Sequence, residues 1–398
     1  MTTPPQEAMV DTGVAWLGAV RSAWRRVPLW TLFKRVKRTA FEQEQLLSVY
    51  RDHGVVPKVS RDDNFNKPSG DLSLYQLVEP GDLAINKMKA WQGSVAISEH
   101  RGIVSPAYFV FAARHRENSR FLHYMFRSAE FTAGYFSISK GIRPNQWDLE
   151  PQEHSRMLVP LPSLAEQAAI AAFLDRETAK IDALVEEQRR LIELLNEKRQ
   201  AVISYAVTRG INSDADMRRS GVGWLGDVPE HWRVVKLNRI ATRIVDGAHF
   251  TPTYVDEGVP FLRVTDITRP SIELDEVKRI PLEEHQELSK RCRPEKGDLL
   301  LSKNGTIGVP KVVSWDWEFS IFVSLCLIKP TAELDPHYAS YVFLSRAIES
   351  QIDEGSKQST VTNLHLEKIA GFQFPLPPLE DQRNIVSSLD EAVGKLMR

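Results

Sequence analysis

Cysteine is scarce in this chain, with Cys292 and Cys326 the only two in 398 residues. Two cannot build a disulfide framework or a thiolate metal cluster, so both read as plain buried or half-buried thiols. Long apolar runs are missing as well, and none approaches the roughly 20 residues that crossing a bilayer takes. The start, Met1 to Glu7, is polar and contains proline, without the basic and apolar regions of a secretory signal. No membrane association and a cytoplasmic location are therefore expected. Nor is there an excess of one charge: 51 Lys and Arg face 52 Asp and Glu, for a formal net charge of -1. Nucleic-acid binders usually present a positive surface, and here the average hides one local run. Arg21, Arg25, Arg26, Lys34, Arg35, Lys37 and Arg38 follow one another without an acid between them.

Catalytic signatures are equally sparse. No Gly-rich loop ends in Gly-Lys-Ser/Thr and no Gly-x-Gly follows a strand pattern, so neither a phosphate cradle nor a nucleotide-cofactor site is indicated. Gly305-Thr306-Ile307-Gly308 lacks the basic residue such a cradle needs and reads as a turn. The ten histidines are scattered: His285, His337 and His365 have no neighbour at metal-ligand spacing, and His53 and His249 stand in turn-like contexts. Asp62-Asp63 and Glu283-Glu284 are adjacent acids of the kind surface loops carry. We expect no catalytic residues, no metal and no cofactor.

What the chain has is a duplication. With 42% apolar and 26% charged residues, its length suits two domains that each bury a core. Gly13-Val14-Ala15-Trp16-Leu17-Gly18 returns as Gly221-Val222-Gly223-Trp224-Leu225-Gly226, 208 positions later. Pro80-Gly81-Asp82-Leu83 followed by Lys87 returns as Lys296-Gly297-Asp298-Leu299 followed by Lys303, at a separation of 216. Pro160-Leu161-Pro162-Ser163-Leu164-Ala165-Glu166-Gln167 returns as Pro375-Leu376-Pro377-Pro378-Leu379-Glu380-Asp381-Gln382, at 215. Collinear matches in one order mean two copies of one unit, each a domain followed by a helix.

Inside each copy the pattern is mixed. Phe261 to Ile267 alternates as a strand does, Asp298 to Leu301 precedes the turn pair Asn304-Gly305, and Ile321 to Ile328 reads as a buried strand. Tyr338 to Glu349 and Glu117 to Ala129 read as helices. The expected fold class is α+β: two similar domains, 1–162 and 211–378, joined by long antiparallel coiled-coil helices at 163–210 and 379–398, the distal one short.

The helix between the copies is the clearest element. Ser163 with Glu166 forms a capping box, Leu164 to Arg209 contains no Pro or Gly, and Gly210 supplies the stop. Heptad spacing puts Leu174, Ile181, Leu184, Leu191, Leu195, Val202 and Tyr205 on one seam, with Gln188 and Lys198 as polar breaks. The pairs Glu186/Arg190 and Arg189/Glu193 support the other faces. At 1.5 Å per residue such a helix spans roughly 65 Å, a spacer rod whose seam needs a partner. If the second helix runs antiparallel, its roughly 20 residues reach only the part nearest Gly210. The seam around Leu174 to Leu184 then stays open as a protein-binding strip.

These segments together resemble one family. The Gly13–Gly18 motif with its copy, Asn86-Lys87-Met88-Lys89-Ala90-Trp91-Gln92-Gly93 with Gly102 to Tyr108, Asp246-Gly247-Ala248-His249-Phe250-Thr251-Pro252, and Pro160 to Leu174 with Lys180 to Leu184 and Glu197 to Gln200 are similar to the specificity subunits of Type I restriction-modification systems. The resemblance covers nearly the whole chain. It implies two target recognition domains that read the halves of a split, asymmetric sequence in double-stranded DNA. It also implies helices that act as a ruler and dock methyltransferase subunits, two in number, with restriction subunits joining the full complex. The subunit itself then has no chemistry. A shorter distal helix than the family pattern leaves the open seam to a second copy, by homodimerisation. The alternative is a structural or adaptor protein with a dimerising coiled coil.

Major-groove reading uses Arg or Lys on guanine and Asn or Gln on adenine. Lys87, Lys89 and Arg143 in the first domain, and Lys303, Asn304, Lys357 and Gln358 in the second, are the candidates for DNA contact.

Overall fold

A computed structural model describes residues 8–60, 68–141, 147–354 and 363–396. They form two compact units, Met1–Val185 and Glu186–Arg398, divided within the long helix.

In the first unit β1 (Phe33–Val36), β2 (Leu83–Asn86), β3 (Val95–Ile97) and β4 (Tyr108–Ala113) make one antiparallel sheet in the order β1-β4-β2-β3. Alternation sorts its side chains. Leu83, Ile85, Val95, Ile97 and Phe111 enter a core with Phe126, Phe131 and Tyr135. Ala84, Ala96 and Val110 enter another with Leu47, Val49 and Val55. The helices α1 (Ser119–Phe126) and α2 (Ala129–Ser137) cover the first face. A single helix from Glu117 to Ala129 was the expectation; the chain breaks between them because Ser128 turns outward as the N-cap of α2, its Oγ accepting from Phe131 N.

The helix α3 (Leu164–Arg209) has the bounds expected from its composition. Only half of its capping box forms: Ser163 Oγ accepts Glu166 N at 3.3 Å, while the Glu166 carboxylate turns to Arg21 and to the Trp24 indole N–H. Gly210 ends the helix at a φ of +76°, a left-handed conformation that glycine adopts without strain. Arg189 pairs with Glu186 rather than with Glu193.

The second unit repeats the design. Its strands β5 (Ala241–Asp246), β6 (Leu299–Ser302), β7 (Pro310–Val312) and β8 (Leu325–Pro330) lie antiparallel in the order β5-β8-β6-β7, the order of the first sheet. Helix α4 (Leu282–Arg291) has no counterpart among the described residues of the first unit; α5 (Pro336–Phe343) and α6 (Arg346–Glu354) match α1 and α2, and α7 (Leu379–Leu396) is the distal helix. The expected helix from Tyr338 to Glu349 is thus two helices, as in the first copy.

Two strand expectations need correction. The extended segment is Val259–Leu262, and Val264–Ile267 coils into a helical turn, because the Asp266 carboxylate accepts Arg263 N and the Arg263 guanidinium and closes the chain locally. The run from Ile321 is interrupted: Ser320–Ile321 pairs in parallel with Val259–Leu262, and a turn with Leu325 N on Phe322 O precedes β8.

The seam of α3 is also corrected in phase. Toward its C-terminal end the buried residues are Ile203, Ala206 and Val207, packed in one core with Leu389 and Val393 of α7. Val202 is half-buried and Tyr205 is 56% exposed. A helix lying on a globular core buries positions three and four apart, here one residue on from the heptad seam. In the middle, Ile181, Leu184 and Leu191 are exposed, as are Val185, Ile192 and Leu194; Leu174 and Leu195 are half-buried.

Candidate nucleic-acid interface

The aligned lysines have different surroundings. Lys87, at the end of β2, is half-buried with its ammonium 3.3 Å from Asp148. Lys303, just past β6, is buried with its ammonium 2.9 Å from the buried Asp246 carboxylate. Lys303 is thus an internal ion-pair partner rather than a surface cation, a correction to its place among the DNA-contact candidates. A lysine in that pair leaves it only by exposing a buried charge.

Lys89 is exposed at the entrance to the 3-10 turn Ala90–Gln92. It borders an open groove of about 700 Å³ together with Lys58, Asn86, Gln92, Ser48 and Ser105. This groove gathers amide, hydroxyl and ammonium groups of the kinds that contact bases and phosphates. In the second unit Asn304 forms an isolated bridge with Asn363, and the side-chain oxygen of each is buried without a hydrogen-bond partner. Arg143, Lys357 and Gln358 lie outside the described residues.

The basic run is partly consumed by pairing. Arg21 meets Glu166, Arg25 meets Glu117, and Arg38 meets Glu79 and Asp82. Arg26, Lys34, Arg35 and Lys37 stay exposed, Arg35 lying over the Phe109 ring at 4.3 Å. The positive stripe is therefore shorter than the sequence run.

Sequence reasoning missed one cluster. Asp246 closes β5, and its carboxylate accepts from Lys303 at 2.9 Å, from His249 Nε2 at 2.9 Å and from the Arg291 guanidinium. Burial alone would raise its pKa; the hydrogen bonds from Lys303, His249 and Arg291 outweigh that and hold the carboxyl at about 2. The next residue, Gly247, has no room for a side chain, since a Cβ there would stand 1.9 Å from Ile321 O. Asp246-Gly247-Ala248-His249 was visible as a motif, but Arg291 joins it from the end of α4, 45 positions away.

Both thiols are buried, and burial pushes Cys292 up to about 11 and Cys326 higher, so neither is a nucleophile at neutral pH. Among the described residues no three His, Cys, Asp or Glu side chains are placed to hold a metal ion, and no helix is long and apolar enough to cross a membrane.

Two copies of one α+β unit carry the same sheet order, with the matched lysines Lys87 and Lys303 in different surroundings. Comparison with known proteins agrees. Residues 229–397 match the family described as Type I restriction modification DNA specificity domain. The EcoBI specificity subunit of Escherichia coli is 23% identical over 96% of this chain and 82% of its own. The EcoKI specificity subunit of Escherichia coli strain K12 is 22% identical over 94% and 83%. A chain from a solved structure of a type I R-M system in assembly superposes with a TM-score of 0.63 at 19% identity, covering 95% of this chain and 92% of that one, which establishes the shared fold. Along most of its length the chain is similar to specificity subunits of Type I restriction-modification systems, and the family match falls on its second copy.

Proposed function

We propose that this chain is the DNA-reading, non-catalytic subunit of a Type I restriction-modification complex, in which domains 1–162 and 211–378 each read one half of a split, asymmetric target. The observation that carries this reading is the duplicated sheet, β1-β4-β2-β3 and β5-β8-β6-β7, with the matched lysines in unlike surroundings, Lys87 half-buried against Asp148 and Lys303 buried against Asp246. One fold used twice supports the same mode of docking, and unlike surfaces support different half-sites. In the first unit Lys89, Asn86 and Gln92 are the groups best placed to meet DNA, from the groove they share. In the second, Asn304 is the retained candidate.

The exposed apolar face of α3, Ile181 with Leu184, Leu191 and Ile192, supports docking of methyltransferase subunits, and through them of restriction subunits. A contiguous apolar strip on a surface helix is a feature of protein-binding helices. Homodimerisation would use the same strip, and a cytoplasmic location fits a partner that is genomic DNA. The test is genome-wide mapping of methylated adenine with and without this gene. Loss of methylation at one bipartite sequence is the expected result; an unchanged map, with DNA-independent assembly, favours the adaptor alternative.

A further inference from the structure

The Asp246 cluster holds more positive charge than it neutralises. Asp246 contributes one negative charge and its side chain is 4% exposed; Lys303, 6% exposed, contributes the positive charge buried beside it. That pair is complete by itself, because a buried lysine needs its counter-ion. Arg291 comes on top of it, with its side chain 53% exposed. The site therefore has a net charge of about +1 with a neutral imidazole and about +2 with imidazolium.

The surplus cation is fixed in orientation. Arg291 Nη2 donates to Asp246 and Nη1 to Gly247 O, leaving three of the five guanidinium N–H groups without a partner within this cluster. His249, 58% exposed, is turned by the bond from its Nε2 to the same carboxylate. Gly247 packs its backbone directly on the Ile321 carbonyl and Ala248 N donates to the same oxygen at 2.9 Å, so the loop that carries His249 is held on the Ser320–Ile321 strand. Phe250, the next residue, is exposed too. A half-exposed guanidinium anchored through one edge, beside an imidazole, is suited to a tetrahedral anion with several acceptor oxygens. An ordinary surface arginine would have to give up side-chain entropy to bind; this one is already ordered.

We infer that Arg291 and His249, oriented by Asp246, bind a backbone phosphate of double-stranded DNA in the unit Glu186–Arg398. Asp246 is a positioning residue: it touches no phosphate and acts through the Arg291 guanidinium and the His249 imidazole, with Lys303 cancelling its own repulsion. The inference rests on the DNA reading proposed above and adds to it a contact that fixes register without reading sequence.

The experiment is a salt titration of the full-length chain with a duplex of unrelated sequence, comparing wild type with Arg291→Gln, Arg291→Lys and His249→Gln. Each phosphate contact contributes about 0.9 to the slope of log affinity against log salt. Arg291→Gln should lower that slope by about 1 in a protein that still melts cooperatively, Lys303 and His249 remaining on Asp246, while Arg291→Lys keeps the slope. His249→Gln should weaken binding several-fold. A wild-type slope that Arg291→Gln leaves intact overturns the phosphate site and spares the DNA reading. No salt-dependent binding by wild type overturns both. If inorganic phosphate at matched ionic strength abolishes the Arg291-dependent part, the site is one for small anions and the DNA assignment fails.

Discussion

Gln167 and Gln382, 215 positions apart and both fully buried, hold their surroundings in the same way. Gln167 Oε1 accepts Asn118 N at 2.9 Å, and its amide donates to Pro162 O at 2.9 Å and Glu117 Oε2 at 2.6 Å. Gln382 Oε1 accepts Asp335 N at 2.8 Å, and its amide donates to Pro377 O at 2.9 Å and Glu333 O at 2.8 Å. Asn118 and Asp335 are the N-caps of α1 and α5. In each unit one glutamine thus fastens the start of a long or distal helix to the cap of a helix on the sheet.

Replacing either glutamine by leucine strands a buried N–H and at least one buried oxygen. Each unsatisfied group costs about 1–3 kcal/mol, so Gln167→Leu and Gln382→Leu should each lower the unfolding free energy by about 2–4 kcal/mol. Urea titration followed by circular dichroism measures this. A midpoint that does not move in either variant removes the clamp from the account of the repeat.

His154 is fully buried against the Phe111 and Tyr135 rings, with neither ring nitrogen hydrogen-bonded. The second copy has Ile369 at that position, also fully buried. His154→Ile should therefore stabilise the protein, by about 1–3 kcal/mol. A loss of stability would mean that the imidazole has a partner or a shape the isoleucine cannot replace.

Burial depresses His154 to about 3, and burial with Arg127 nearby depresses His123 to about 4. Both are neutral in the folded chain where the unfolded chain takes up protons, below its ordinary histidine pKa of about 6.5. The unfolded state then binds more protons, so stability falls as pH drops from about 6.5 toward 4 and, for His154, toward 3. His154→Ile should flatten that decline. Equal slopes for the two proteins between pH 6 and 4, taken as roughly that window, would contradict the assignment.

Lys303 and Lys89 should separate cleanly on substitution. Lys303→Met leaves Asp246 buried without its ammonium, at a cost of about 3–5 kcal/mol, which thermal melting would report as a large drop. Lys89→Ala, on an exposed side chain, should change stability by less than about 0.5 kcal/mol and lower the DNA salt slope by about 1. The reverse pattern would exchange their roles.

Ile181→Glu with Leu191→Glu places charge on the open face of α3, where no core is disturbed. Folding should be unaffected within about 0.5 kcal/mol, while co-purification with methyltransferase subunits is lost. Retention of those subunits by the double variant would move the docking surface elsewhere.

The duplication was legible because it is written in short motifs whose side chains hold backbone: the turn glycines, the buried Asp82 and Asp298, the clamp glutamines. Such residues tolerate few substitutes, and their spacing persists when the sheet surfaces between them diverge. The α3 bounds were legible for a similar reason, since Pro and Gly are excluded from a helix interior and Gly210 needs its positive φ. Which candidate cations stay free to meet DNA was not legible. Lys87, Lys89 and Lys303 are alike as letters, and only the acids Asp148 and Asp246, brought from distant strands, distinguish them.

By itself the sequence determined that one α+β unit occurs twice and that an uninterrupted helix follows the first, because local propensity and repeated motifs act over a few residues at a time. Only tertiary structure decided which charges are spent inside and which remain outside. That outcome depends on which carboxylate arrives beside each cation and on whether water is excluded there. Arg291 and Lys303 meet over Asp246 through contacts spanning 45 and 57 positions, a distance over which sequence pattern carries no electrostatics.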